Sequence, residues 1–396
     1  MDASQIVVRL ALSRALAVSA NVSVNTAIVF TLYARTSSTA WVSGYFLVTM
    51  SGYGILMPLG GALADRFDRR RLIVAAEVAA AATLVVLAFV SSPAAVLAVS
   101  AVLTLVSAPV LPASRAALPN LVPEERLTWA NGVIAQSFGL SITLGPIVGG
   151  ALVDRIGARG VLLIAAATYL VGTSLVWSIQ ADFSDRATTT DEHGGVMAGL
   201  AFLWREPVLR AIVIAEVVSF SGVGFAMVAD APLAREYDVG AIGYGALIFT
   251  WGAGMLLGSL VAGRIKRVEL ELPAVVYGMA AMGVGLGLVW FASSFGVILG
   301  LLTLGGFGMG TIEVARQGVM QRRTPDEVRG RLFAAAEAVG SLSWAASFVA
   351  AGVLVGRIGA QPSYSVAGLT FLVGSALVVA LIGLRVLRPV AAAPTT

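Results

Sequence analysis

Apolar stretches long enough to cross a bilayer as helices, about 20 residues each, recur along the whole chain and constrain its fold more than any motif. They fall near 12–33, 40–64, 71–91, 95–117, 129–152 and 160–180 in the first half. The second half repeats the pattern near 209–232, 240–263, 272–292, 296–320, 331–355 and 364–386. Only 12% of residues are charged and 58% are hydrophobic, against roughly 25% charged in a soluble domain. A globule of this length has too little polar surface to cover itself, so lipid is the solvent that fits. The pattern predicts an all-α polytopic membrane protein with twelve transmembrane helices.

The net charge of +4 is weak evidence for nucleic acid as a partner, because 25 of the 26 basic residues are arginines in short clusters between apolar segments. Basic residues that hold loops on the cytoplasmic side give the same pattern. An even span count puts both termini on one face. The termini and the turns on that face then hold 21 of the 26 basic residues, and only Arg35, Arg155, Arg159, Arg235 and Arg357 fall opposite. This predicts a multi-pass protein of the inner or plasma membrane with both termini cytoplasmic. Asp154 and Asp230 belong near the outer level.

Local patterns recur at a nearly fixed offset. GALVDRIG at 150–157 is answered by GVLVGRIG at 352–359, and GYGILMP at 52–58 by GAGMLLG at 252–258. RAALPNLVPEER at 115–126 is matched by RQGVMQRRTPDEVR at 316–329, an arginine followed by proline and two acids. Three matches in one order argue for a duplicated unit, two six-helix bundles related as parallel repeats. The expected bundles are 1–181 and 208–388. Between them lies a cytoplasmic linker, 182–207, with a short amphipathic helix near 197–206 at the membrane surface. A disordered tail at 389–396 completes the division. Gly139, Gly145, Gly149 and Gly150 surround Pro146, and Gly340, Gly352, Gly356 and Gly359 match them in the second half. Such small residues suit close, movable helix contacts.

At GALADRFDRRR, residues 61–71, the chain resembles the signature loop of the major facilitator superfamily, which lies between that family's second and third helices. Gly61, Leu63, Ala64, Asp65, Arg66, Arg69 and Arg70 match its pattern, and Asp68 stands where the family has a second glycine. An aspartate there can cap the turn instead. The resemblance covers essentially the whole chain and implies the major facilitator fold. RAALPNLVPEERLTWAN and GLAFLWREPVLR are similar to the branch exporting siderophores and macrolide-type drugs. The resemblance further implies that Gly61, Asp65, Arg66, Arg69 and Arg70 form a conformational switch, with Asp65 pairing to hold one state. Taken individually, Arg69, Arg70 and Arg71 are read first as topology anchors.

Ionisable groups inside spans are costly and therefore suspect. Glu77, Arg115, Glu216, Glu313, Arg316 and Glu337 are candidates for coupling or for buried ion pairs. Glu313 and Arg316 share a helix face, Arg115 is a candidate partner for Glu77, and Glu216 has no local partner beyond Arg210. Interhelical ties without proton traffic are the alternative reading. Asn21 and Asn25 lie four apart in span 1 and either line a cavity or join helices; Phe138 and Phe225 are the best aromatic cavity candidates.

The single histidine lies in the polar linker, there are no cysteines, and no nucleotide-binding GxxxxGK[ST] loop occurs. No enzyme, metal or cofactor is expected. Two bundles with charged turns favour a secondary transporter working by alternating access, functional as a monomer. Its cargo is a small lipophilic or amphiphilic molecule, exported in exchange for protons; proton-coupled import of a small organic solute is the alternative.

Overall fold

The computed structural model describes residues 3–183 and 196–383. Most of the expected 182–207 linker, including His193, and the expected tail at 389–396 lie outside the described residues. Among those described, every regular element is helical. Ten helical segments are long and apolar enough to cross a membrane. One of these, Glu124–Trp177, is 54 residues long and contains two spans. The Thr39–Arg66 stretch adds a further span that is interrupted midway. All twelve expected spans therefore have a helical counterpart.

In chain order, α1 runs Ala3–Thr36 and α2 Thr39–Phe46. A π-helical turn, Leu47–Ser51, joins α2 to α3, Gly52–Arg66. Next come α4, Arg69–Ala88; α5, Pro93–Ser107; α6, Val110–Leu121; and α7, Leu127–Trp177. The linker ends in α8, Val196–Arg205, followed by α9, Pro207–Phe220, and α10, Val223–Glu236. The last five are α11, Gly240–Ala262; α12, Glu271–Gly287; α13, Phe295–Arg322; α14, Asp326–Ile358; and α15, Ala360–Ile382. Helix starts carry the residues that helix starts need. Ser92 Oγ accepts from Ala95 N at 3.2 Å before Pro93, and Glu206 accepts from Leu209 N at 2.7 Å before Pro207. A side-chain acceptor satisfies an orphan N–H, and proline at the first position loses nothing.

Two compact units emerge from the packing. One comprises Met1–Asp191 with Ala231–Phe249, and the other Glu192–Asp230 with Thr250–Thr396. In the first unit α1 lies along α7. Ser23 Oγ donates to Gly145 O at 3.1 Å and Ser141 Oγ to Ala15 O at 3.0 Å. Serine hydroxyls and glycine backbones serve as contacts where lipid removes the hydrophobic drive between helices. The core at one end of this unit gathers Leu10, Ile73, Ala117, Val176 and Phe183. In the second unit α13 presents Gly306 and Gly310 to α11. A Cβ there would fall 2.1 Å from Trp251 O and 2.0 Å from Met255 O, so these backbones touch directly.

Helix α8 packs closely within the second unit. A Cβ on Gly199 would lie 2.1 Å from Arg331 O, and buried Leu203 joins Leu209, Ile212, Met320 and Leu332 in one cluster. The expectation of a helix lying on the membrane surface is thus refined: its inner face is part of the unit's core, and Trp204 is exposed.

The clearest local trace of duplication is backbone geometry. Gly157, between the two spans of α7, has φ 71° and ψ 168°. Gly359, between α14 and α15, has φ 90° and ψ 168°. Essentially only glycine occupies this region, and both positions end the GALVDRIG and GVLVGRIG matches.

Candidate functional site

The turn between α3 and α4 is built by its own residues. Asp68 adopts φ −57°, and its Oδ1 accepts from Arg71 N at 2.8 Å, capping α4. The turn therefore needs no glycine at that position. Arg69 Nη1 donates to Ala116 O at 2.9 Å, and Arg70 donates to Trp177 O with its guanidinium 4.9 Å from that indole ring. Arg69 thereby fastens α4 to the middle of α6, and Arg70 fastens it to the end of α7. Asp65 and Arg66 are exposed and have no hydrogen-bond or ion-pair partner among the described residues. A Cβ on Gly61 would meet nothing within 4 Å, whereas one on Gly60 would fall 2.6 Å from Ala108 O. In this conformation the close approach is made by Gly60.

Among the described residues, two charge clusters lie inside the spans, one in each unit. In the first, Glu77 of α4 is buried and forms an ion pair with Arg14 of α1; Thr173 Oγ1 of α7 donates to its second oxygen at 3.0 Å. Arg115, expected as the partner of Glu77, is exposed instead. The reason is the length of α1. It begins at Ala3 rather than near residue 12, which puts Arg14 three turns inside the helix.

In the second unit Arg316 of α13 sits among three carboxylates. Its Nε lies 3.2 Å from Glu216 Oε1 of α9, within ion-pair reach but outside hydrogen-bond alignment. Its Nη2 donates to Glu313 at 3.2 Å and lies 3.8 Å from Glu337 Oε1 of α14. Gln317 Nε2 also donates to Glu313, at 2.7 Å. Arg210 takes no part and donates to Trp204 O at 3.2 Å. The Glu216 and Arg316 side chains are buried, Glu313 is partly exposed, and Glu337 is 72% exposed. Three acids therefore meet one base, with the Glu216–Arg316 pair on the buried side of the cluster and Glu337 on its exposed side.

The remaining candidates divide. Asn25 Nδ2 donates to Asn21 Oδ1 at 3.2 Å within α1, and the buried Tyr45 hydroxyl of α2 donates to Asn25, so Asn25 links α1 to α2 while both amides stay only part-buried. Phe138 is 44% exposed, whereas Phe225 is buried and offers no free face. Sequence patterns also missed a polar pair. Asp230 of α10, expected near the outer level, is half-buried and accepts a hydrogen bond from the buried Tyr364 hydroxyl of α15. A carboxylate just before Pro232 in an apolar span was the available signal. No group of His, Cys, Asp and Glu able to hold a metal occurs among the described residues.

Helices of spanning length with charges gathered inside each unit define an all-α, multi-pass membrane protein of the transporter class. The chain belongs to the Major Facilitator Superfamily, whose family model matches residues 10–270 and again 212–396. It is 28% identical over 349 residues to the multidrug efflux pump Tap of Mycolicibacterium fortuitum, covering 83% of each chain. It is 27% identical over 333 residues to the MFS-type transporter YfiS of Bacillus subtilis, covering 79% of this chain and 78% of the relative. Among solved structures it resembles a bacterial homologue of the iron transporter ferroportin in an inward-facing state. The TM-score is 0.75 at 15% identity, covering 96% of this chain and 99% of the other. It also resembles the nucleoside transporter NupG, with a TM-score of 0.71 at 12% identity, covering 95% and 99%. These likenesses establish the fold. The family consists of transporters of small molecules rather than enzymes.

Proposed function

We propose that the chain is a proton-coupled exporter of small lipophilic or amphiphilic compounds, working by alternating access in the inner membrane. The observation that carries this reading is the surplus of acid around Arg316: Glu216, Glu313 and Glu337 surround one guanidinium. Glu216 is the buried acid of the three and shares its guanidinium with the other two, so it is the group that takes up a proton on one side and releases it on the other as the coupling step. The kinship with Tap, a multidrug efflux pump, supports export of organic cargo. Bundles 1–181 and 208–388 are the moving halves, with both termini in the cytoplasm. The Gly61, Asp65, Arg66, Arg69 and Arg70 turn switches between states, and Asp65 acquires its partner in the state opposite to this one. Asn21, Asn25 and Phe138 face the cargo path.

Uptake of a lipophilic fluorescent cation into inverted vesicles acidified inside tests the reading. The expected result is accumulation that collapses when a protonophore is added and falls about 10²-fold or more in Glu216→Gln, the scale of a positioned proton-transfer group. Gradient-driven accumulation that Glu216→Gln leaves intact, with its pH dependence unchanged, removes the coupling assignment.

A further inference from the structure

Helices α10 and α11 each change unit along their length. Their residues through Asp230 and from Thr250 belong to the second unit, while Ala231–Phe249, which contains the turn between them, packs on the first. This segment is fastened at backbone level. A Cβ on Gly150 of α7 would fall 2.2 Å from Ala241 O, and a Cβ on Gly245 of α11 would fall 2.3 Å from Pro146 O. The α7 and α11 backbones therefore touch twice, within Pro146–Gly150 and Ala241–Gly245.

One turn beyond that contact, the Asp154 carboxylate of α7 closes over the first residues of α11. Its Oδ1 accepts from Ala241 N at 3.0 Å and its Oδ2 from Ile242 N at 2.9 Å. A Cβ on Gly240 would lie 3.2 Å from Oδ2, so glycine leaves room for the carboxylate. An N-terminal helix cap normally comes from the residue just before the helix; here it is supplied by another helix, 87 positions away in sequence. The bonds are charge-assisted and lie where the α11 dipole favours an anion. A second tie holds the same turn to α1. Arg235 Nη1 donates to Ser37 Oγ at 2.7 Å, with its guanidinium 5.9 Å from the Tyr33 ring.

We propose that Asp154 is the positioning residue that holds the α10–α11 turn on the first unit, and that its release sets how often the transporter opens at that end. Glycine contacts alone let the backbones slide, because they have no directional bond. The two carboxylate bonds fix register and orientation, and both are lost together when α11 withdraws. The proposal needs only the alternating access of a transporter; it is independent of which cargo or ion is carried.

The chain has no cysteine, so a single introduced thiol reports on the turn. Ala234, buried in the docked segment, is replaced by cysteine. The purified protein in lipid nanodiscs then reacts with a hydrophilic maleimide. Asp154→Ala is expected to raise the labelling rate about tenfold, equivalent to ~1.4 kcal/mol. Asp154→Asn raises it less, because an amide keeps one acceptor oxygen. Asp238→Asn, which removes the same charge from the same turn without touching the cap, leaves it unchanged. A thiol at Ala113, in the core of the first unit, stays unreactive throughout. An unchanged rate in Asp154→Ala, an equal rise in Asp238→Asn, or a parallel rise at position 113 overturns the proposal. Labelling proceeds without cargo or proton gradient, so failure of the export reading would leave this result standing.

Discussion

At the residue scale, each cluster inside the spans weighs desolvation against pairing. Arg14 and Glu77 balance one charge with another, and Thr173 occupies a further carboxylate lone pair. Removing one member leaves a buried, uncompensated charge, which typically costs ~3–5 kcal/mol. Glu77→Ala should therefore lower the thermal midpoint of the purified protein clearly. Arg14→Met combined with Glu77→Leu should recover most of the loss, because an apolar pair of similar volume carries no desolvation penalty. A single variant as stable as the parent would show that the pair does not sustain the first unit. The acids and Arg316 were legible in the sequence as charges inside apolar spans, but their partners were not. The i, i+3 geometry joins Glu313 to Arg316, whereas Glu216 reaches Arg316 across 100 positions and Arg14 reaches Glu77 across 63. Periodicity gives the face of one helix and leaves open which helix lies opposite.

At the element scale, the spans were legible because their length and apolarity are fixed by the bilayer. Their interruptions were less so. The span near 95–117 breaks between α5 and α6 beside Pro109, which has no N–H for the helical ladder. The span near 209–232 divides at Ser221–Gly222 into α9 and α10. The π-turn at Leu47–Ser51 left no such mark in composition. By contrast, the Gly157 and Gly359 corners were written into the repeated GALVDRIG and GVLVGRIG segments. Their surroundings isolate the backbone term. A Cβ on Gly157 would meet nothing within 4 Å, and one on Gly359 would come no nearer than 3.7 Å to Pro362 Cδ. Gly157→Ala and Gly359→Ala should each cost ~1–3 kcal/mol through backbone strain, read as similar drops in thermal midpoint. Gly300→Ala, inside α13 with open space around it, should be neutral or stabilising by helix propensity. Equal tolerance at all three positions would mean that the two corners are not held in the left-handed region.

At the scale of the whole molecule, the proposed orientation rests on where the arginines gather. Short basic turns resist translocation, and the turns after spans 2 and 8 carry Arg66, Arg69, Arg70, Arg71, Arg264, Lys266 and Arg267. The turns after spans 3 and 9, around Ser91 and Ser293, contain no basic residue. Thiols placed singly at exposed Phe67, Val268, Ser91 and Ser293 test this orientation in a chain with no cysteine of its own. A membrane-impermeant maleimide should label positions 91 and 293 on intact cells. It should reach 67 and 268 only in inverted vesicles. The paired design also tests the duplication. Positions 67 and 268 are counterparts in the two halves, as are 91 and 293, so each pair must report the same side if the repeats are parallel. Labelling of 67 from outside would reverse the orientation. Opposite sides for 67 and 268 would instead require inverted repeats, and both halves could not then face the cytoplasm with the same basic turn.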